Sequence, residues 1–111
     1  MEKMIVDGED VWIGSGNIYG DLGLPDAEQR QIKTDLAIEI TLAIRRMGLT
    51  QRQAAERMGL TQPKVSELMH GKLGQFSERK LMDCLTRLGY NIEITVRPTT
   101  EPVGRFHVAF A

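Results

Sequence analysis

Residues 49–72 read LTQRQAAERMGLTQPKVSELMHGK, and this stretch restricts the possible folds more than any other part of the chain. Two short helical patterns flank a break at Gly59-Leu60. Thr50 is placed to cap the first, with Gln53 three residues on to complete a capping box. Ala54, Ala55 and Met58 recur at helical spacing and supply an apolar face. Gly59 ends this helix, because a sharp reversal calls for a residue that tolerates positive φ. Thr61 caps the second helix, and Pro63 fits its first turn, where a missing N–H has no intrahelical partner to lose. Val65, Leu68 and Met69 face inward, and Gly71 stops the helix. Two short capped helices joined by such a turn predict a helix-turn-helix, whose second helix is the element that enters a DNA major groove.

The outward residues suit that task. The first turn of the second helix carries Gln62, Pro63 and Lys64 behind the Thr61 cap, and its outer face continues with Ser66, Glu67 and His70. A glutamine amide is a donor–acceptor fork that matches an adenine edge, and Pro63 offers apolar contact to a thymine methyl. Gln51 and Arg52 open the preceding helix, where they can bond phosphate and fix register without reading sequence. Lys72 follows the second helix. An ordinary helical hairpin with a polar outer face is the plain alternative. The Thr-Gln opening of both helices, Ala54-Ala55 and Gly71-Lys72 favour the DNA reading.

This pattern resembles the phage-repressor-like helix-turn-helix proteins, the XRE family. The matching residues are Leu49-Thr50-Gln51, Ala54-Ala55, Gly59, Thr61-Gln62, Val65-Ser66, Leu68 and Gly71-Lys72. The resemblance implies that Gln51 contacts backbone, that Gln62 reads a base, and that Glu67 stands at a base-reading position. An acid there departs from the commoner neutral or basic choice. Glu67 either accepts from a cytosine N4 or points away from the phosphates.

With 111 residues, 41% of them hydrophobic, the chain can form one domain with a modest core and a flexible arm. No apolar run reaches membrane-span length and no signal-peptide pattern opens the sequence, so a cytoplasmic protein without membrane contact is expected. The single cysteine, Cys84, lies in an amphipathic pattern and reads as a small buried hydrophobe. His70 and His107 stand apart, with no metal-ligand spacing or catalytic constellation around them. The expectation is no enzyme, no metal and no cofactor.

Net charge is −1, but it is unevenly spread. Residues 1–28 hold seven acids and one base, whereas residues 45–87 hold nine bases and four acids. The segment proposed to meet DNA is therefore basic. An excess of +5 should bind a phosphate backbone weakly as a single module, which favours a dimer with two modules on one operator.

Along the chain, residues 1–25 hold five of the eleven glycines and lack a helical period, so they read as an extended acidic arm. Val11-Trp12-Ile13 and Ile18-Tyr19 are apolar islands within it. They either fold back on the domain or form a partner-binding segment, with Trp12, Ile13, Ile18 and Tyr19 as the contact residues. A helix follows from an Asp26 cap to about Met47, with Ile32, Leu36, Ile40, Ala43, Ile44 and Met47 as its core stripe. Ile38 and Leu42 either widen that core or form a contact face. Ser77 caps a last helix, with Phe76 able to staple onto Leu81, and Leu81, Cys84, Leu85 and Leu88 face inward ahead of Gly89. Residues 90–97 then alternate, with Tyr90, Ile92, Ile94 and Val96 on one side, and predict a strand. Residues 105–110 alternate again, with Phe106, Val108 and Phe110 on one side, as a second strand within a 99–111 tail. The first strand must pair with that tail, with the arm, or with its own copy across a two-fold axis, which makes Ile92, Ile94 and Val96 the dimer-interface candidates.

The resemblance widens in the flanks. Residues 14–27, GSGNIYGDLGLPDA, with Phe76-Ser77-Glu78-Arg79-Lys80-Leu81 and residues 88–98, are similar to a subgroup of the XRE family, the HigA-like antitoxins. The expected fold is thus mainly α, a phage-repressor-like helix-turn-helix bundle of four to five helices over residues 26–98 with a C-terminal β-strand. The resemblance implies a homodimeric DNA-binding regulator. It would be the antitoxin of a toxin-antitoxin pair, repressing its own operon and neutralising a small basic ribonuclease toxin. A stand-alone repressor without a toxin is the alternative, and a module that neutralises a protein partner without binding DNA is a second.

Overall fold

A computed structural model describes residues 26–111, and within them the chain forms four helices. The arm candidates Trp12, Ile13, Ile18 and Tyr19 lie outside the described residues. Helix α1 is Asp26–Arg46, α2 is Gln51–Met58, α3 is Gln62–Met69 and α4 is Glu78–Arg87. Arg45 and Arg46 close α1 with positive charge where the helix dipole is negative. Gly48 takes φ +66° and lets the Leu49 N–H turn back to the Ile44 carbonyl at 3.0 Å. This places Thr50 to start α2 at once.

The core follows the apolar periods. Ile32, Leu36, Ile40, Ala43 and Ile44 of α1 are buried against Leu81, Cys84 and Leu85 of α4, while Ala54, Ala55 and Met58 of α2 and Val65 and Leu68 of α3 fill the remaining side. Each fully buried aliphatic side chain stabilises the fold by about 1.5–3 kcal/mol relative to exposure. Ser77 caps α4 by accepting the Lys80 N–H at 3.0 Å. Phe76, just before that cap, is buried together with Leu81 as a hydrophobic staple requires. Burial pushes the Cys84 thiol pKa up from its ordinary value, in keeping with a cysteine that serves as packing. Glu78 is the buried charged residue among those described, and its Oε2 has no hydrogen-bond partner. Its place in the first turn of α4 sets the carboxylate beside the positive end of the helix dipole.

Two expectations are corrected and two open alternatives are excluded. No strand forms among the described residues. Residues 91–97 are exposed and take part in no hydrogen bond, because no other described segment supplies a ladder for them. The tail does not pair with them. Phe106 and Val108 instead pack against the helical core, and Phe110 is left exposed. The fold is therefore mainly helical without the C-terminal β-strand. Met47 does not complete the α1 stripe; it lies beyond the last helical residue, where the helical period no longer applies, and is 39% exposed. Ile38 and Leu42 do not widen the core, since no neighbouring helix covers that side of α1.

Two positions on α1 test this packing. Ile40 is 0% exposed and Ile38 is 53% exposed. Ile40→Ala should cost about 2–5 kcal/mol in urea unfolding, whereas Ile38→Ala should change stability by no more than about 0.5 kcal/mol. Equal losses at the two positions would show that the α1 faces are assigned wrongly.

Candidate nucleic-acid interface

The interface is built from two caps and a turn. Thr50 has extended backbone angles, its Oγ1 accepts the Gln53 N–H at 3.1 Å, and the Thr50 N–H donates to Gln53 Oε1 at 2.9 Å. The capping box is thus complete, and it occupies the Gln53 side chain. Gly59 takes φ +70°, and its N–H reaches the Ala55 carbonyl. Thr61 caps α3 by accepting the Lys64 N–H at 3.4 Å, which leaves its O–H free to donate outward. Val65 and Leu68 are buried on the opposite face and fix the rotation of α3.

That rotation determines what reaches solvent. Gln62, Pro63, Glu67, His70 and Lys72 are exposed, and Lys64 and Ser66 are half-buried. On α2, Arg52 is exposed and Gln51 half-buried. The structure thus brings the α3 residues to one surface, with the first turn of α2 supplying a second row. Their chemistry differs. Gln62 can donate and accept. Glu67 can only accept when ionised. His70 Nδ1 lies 2.7 Å from the Ser66 carbonyl. Because a carbonyl only accepts, Nδ1 carries the proton, and in the neutral ring Nε2 is left as an acceptor.

Several neighbours of this surface could not be found by local pattern. The Lys64 ammonium sits 5.7 Å from the centre of the Phe76 ring, an attraction worth about 0.5–1 kcal/mol at an exposed site. This contact joins the first turn of α3 to the start of α4, where exposed Gln75 and Arg79 flank Phe76 in the chain. A Cβ added to Gly59 would lie 3.2 Å from Arg87 Nη1, so Arg87 backs the turn between α2 and α3. Arg87 is itself held by Asp83 at 3.0 Å. Among the described residues no cluster of His, Cys, Asp and Glu could hold a metal ion, and no helix is long and apolar enough to cross a membrane.

A family profile described as a helix-turn-helix domain matches residues 18–97. A solved structure described as an XRE family transcriptional regulator is 42% identical, with a TM-score of 0.74. The match covers 78% of this chain and 100% of that one. The chain belongs to the XRE-type helix-turn-helix family. At that level it is a DNA-binding transcriptional regulator. No curated protein shows significant similarity to it.

In this XRE-type protein the capping box carries the entry into α2. Thr50→Ala removes the side-chain acceptor for the Gln53 N–H and should lower unfolding free energy by about 1 kcal/mol. Urea titration monitored by circular dichroism reads the change. An unmoved midpoint would mean that tertiary packing alone holds the first turn.

Proposed function

We propose that this protein is a homodimeric, sequence-specific DNA-binding repressor that acts as the antitoxin of a toxin-antitoxin pair. The observation that carries the DNA part is the first turn of α3. Gln62 and Pro63 are exposed there beside Lys64, while Val65 and Leu68 anchor the opposite face. In this reading Gln62 reads a base edge, with Pro63, Ser66, Glu67 and His70 along the same groove. Gln51, Arg52, Thr61, Lys64 and Lys72 contact phosphate. Gln62→Ala should then lose about 1–3 kcal/mol on the operator and relax specificity at one step. Lys64→Ala should weaken all sequences alike and lower the salt slope by about 1. Fluorescence titration against the region upstream of the protein's own gene reads both. If the double variant binds as wild type does, α3 is not the reading element.

A second copy is the proposed partner of residues 92–96. Ile92, Ile94 and Val96 are 37%, 54% and 89% exposed, an apolar row on a segment whose backbone is unpaired. Strand pairing across a two-fold axis would cover the row and satisfy the backbone. Two basic modules would then share one operator, which supports the dimer on electrostatic grounds.

The antitoxin part is supported by the likeness of residues 14–27 and 88–98 to HigA-like antitoxins and by the charge of the arm. Residues 1–25 carry five acids against one base, with Trp12, Ile13, Ile18 and Tyr19 as apolar anchors. A basic ribonuclease toxin is the complementary partner, because opposite charge speeds encounter and a large aromatic dominates contact energy. A repressor without a toxin is the second reading. Deleting residues 1–20 should leave DNA binding intact and abolish rescue of cells that express the product of the neighbouring reading frame. Full rescue by the truncated protein would move the toxin contact to the helical body or the tail.

A further inference from the structure

One side-chain cluster lies outside the residues proposed to meet DNA and has no place in the function described so far. Arg46, in the last turn of α1, donates through Nη2 to Glu39 Oε2 at 2.7 Å and to the Tyr90 hydroxyl oxygen at 2.5 Å. Tyr90 ends the turn that leaves α4. Gly89 has φ +98° and donates to the Thr86 carbonyl, and the Tyr90 N–H returns to the Leu85 carbonyl at 3.0 Å. Its ring is half-buried against the helical core. Immediately afterwards, residues 91–97 are exposed and make no hydrogen bond. The direction in which this segment leaves the body is therefore set at Tyr90.

Arg46 also lies next to the reading head, since α1 passes through Gly48 and Leu49 directly into the Thr50 cap of α2. The same guanidinium thus ties the exit of the segment to the entry of the helix-turn-helix. We propose that Glu39, Arg46 and Tyr90 form a positioning clamp that fixes the angle between the 92–96 segment and the helix-turn-helix, and so the separation of the two α3 helices in the dimer. The inference rests on the dimer reading given above. Paired recognition helices must match half-sites about one turn of DNA apart, roughly 34–36 Å. A change of angle at Tyr90 moves α3 with the helical body, because Val65 and Leu68 fix α3 in the core. Arg46 and Tyr90 act through the geometry of the body and need not touch DNA.

The test measures that separation directly in the full chain. A nitroxide on Glu56→Cys, an exposed position of α2, reports the distance between two copies by double electron–electron resonance. Cys84 is 0% exposed, and labelling of the unsubstituted chain controls for it. Otherwise unsubstituted protein should give one narrow distance. Tyr90→Phe keeps the ring and its packing but removes the hydroxyl, and should lose the narrow maximum while its thermal melt and dimer mass stay unchanged. Arg46→Gln should do the same. A narrow maximum retained in both variants overturns the clamp and leaves the dimer standing. Absence of any dipolar signal in the Glu56→Cys protein that carries no other substitution overturns the dimer and the clamp together. Ile94→Asp should abolish the signal, and a signal that survives it places the interface elsewhere and overturns the clamp.

Discussion

Val65 and Leu68 are seated with Ala54 and Met58 in a site closed by α1 and α4, and the outward chemistry of α3 depends on that seating. A helix of eight residues has too few internal hydrogen bonds to persist alone in water. Its position is imposed by the core beneath it. Because Val65 and Leu68 cannot rotate outward without exposing their side chains, Gln62 and Glu67 cannot rotate inward. The core thus sets which side chains face the groove, and the caps set where each helix begins. The turn at Gly59 sets the angle between the two short helices, and Arg87 lies against it from α4.

Local chemistry made most of this legible in the sequence. The caps at Thr50, Thr61 and Ser77, the positive φ at Gly48, Gly59, Gly71 and Gly89, and the inner faces of the helices all depend on residues within a few positions of one another. Contacts between distant positions were not legible. The Lys64–Phe76 approach, the Arg87 support of Gly59 and the Arg46–Tyr90 bond depend on how helices pack, and no spacing rule predicts them. The 90–97 segment shows the opposite failure. Its alternation is a strand pattern, but a strand is a property of a pair, and no strand forms among the described residues. The single chain holds its apolar row in the open, while Phe106 and Val108 use the helical core as their cover. Met47 shows how sharply periodicity ends, since Gly48 reverses the chain just beyond it.

Charge is divided along the sequence. The basic excess lies in residues 45–87 and the acidic excess in residues 1–28, so a near-zero net charge conceals two fields of opposite sign. Each field is strong only within roughly 8–10 Å at physiological salt.

The open stretch at residues 91–97 has a consequence for the lifetime of the protein. Proteases cleave extended backbone whose amides are free, and they need no unfolding step where such backbone is already exposed. The same stretch, Ile92-Glu93-Ile94-Thr95-Val96, is β-prone and lies bare as a sheet edge would. Exposed in this way, the segment is open to proteolytic attack and to edge-to-edge association without any unfolding of the helical body.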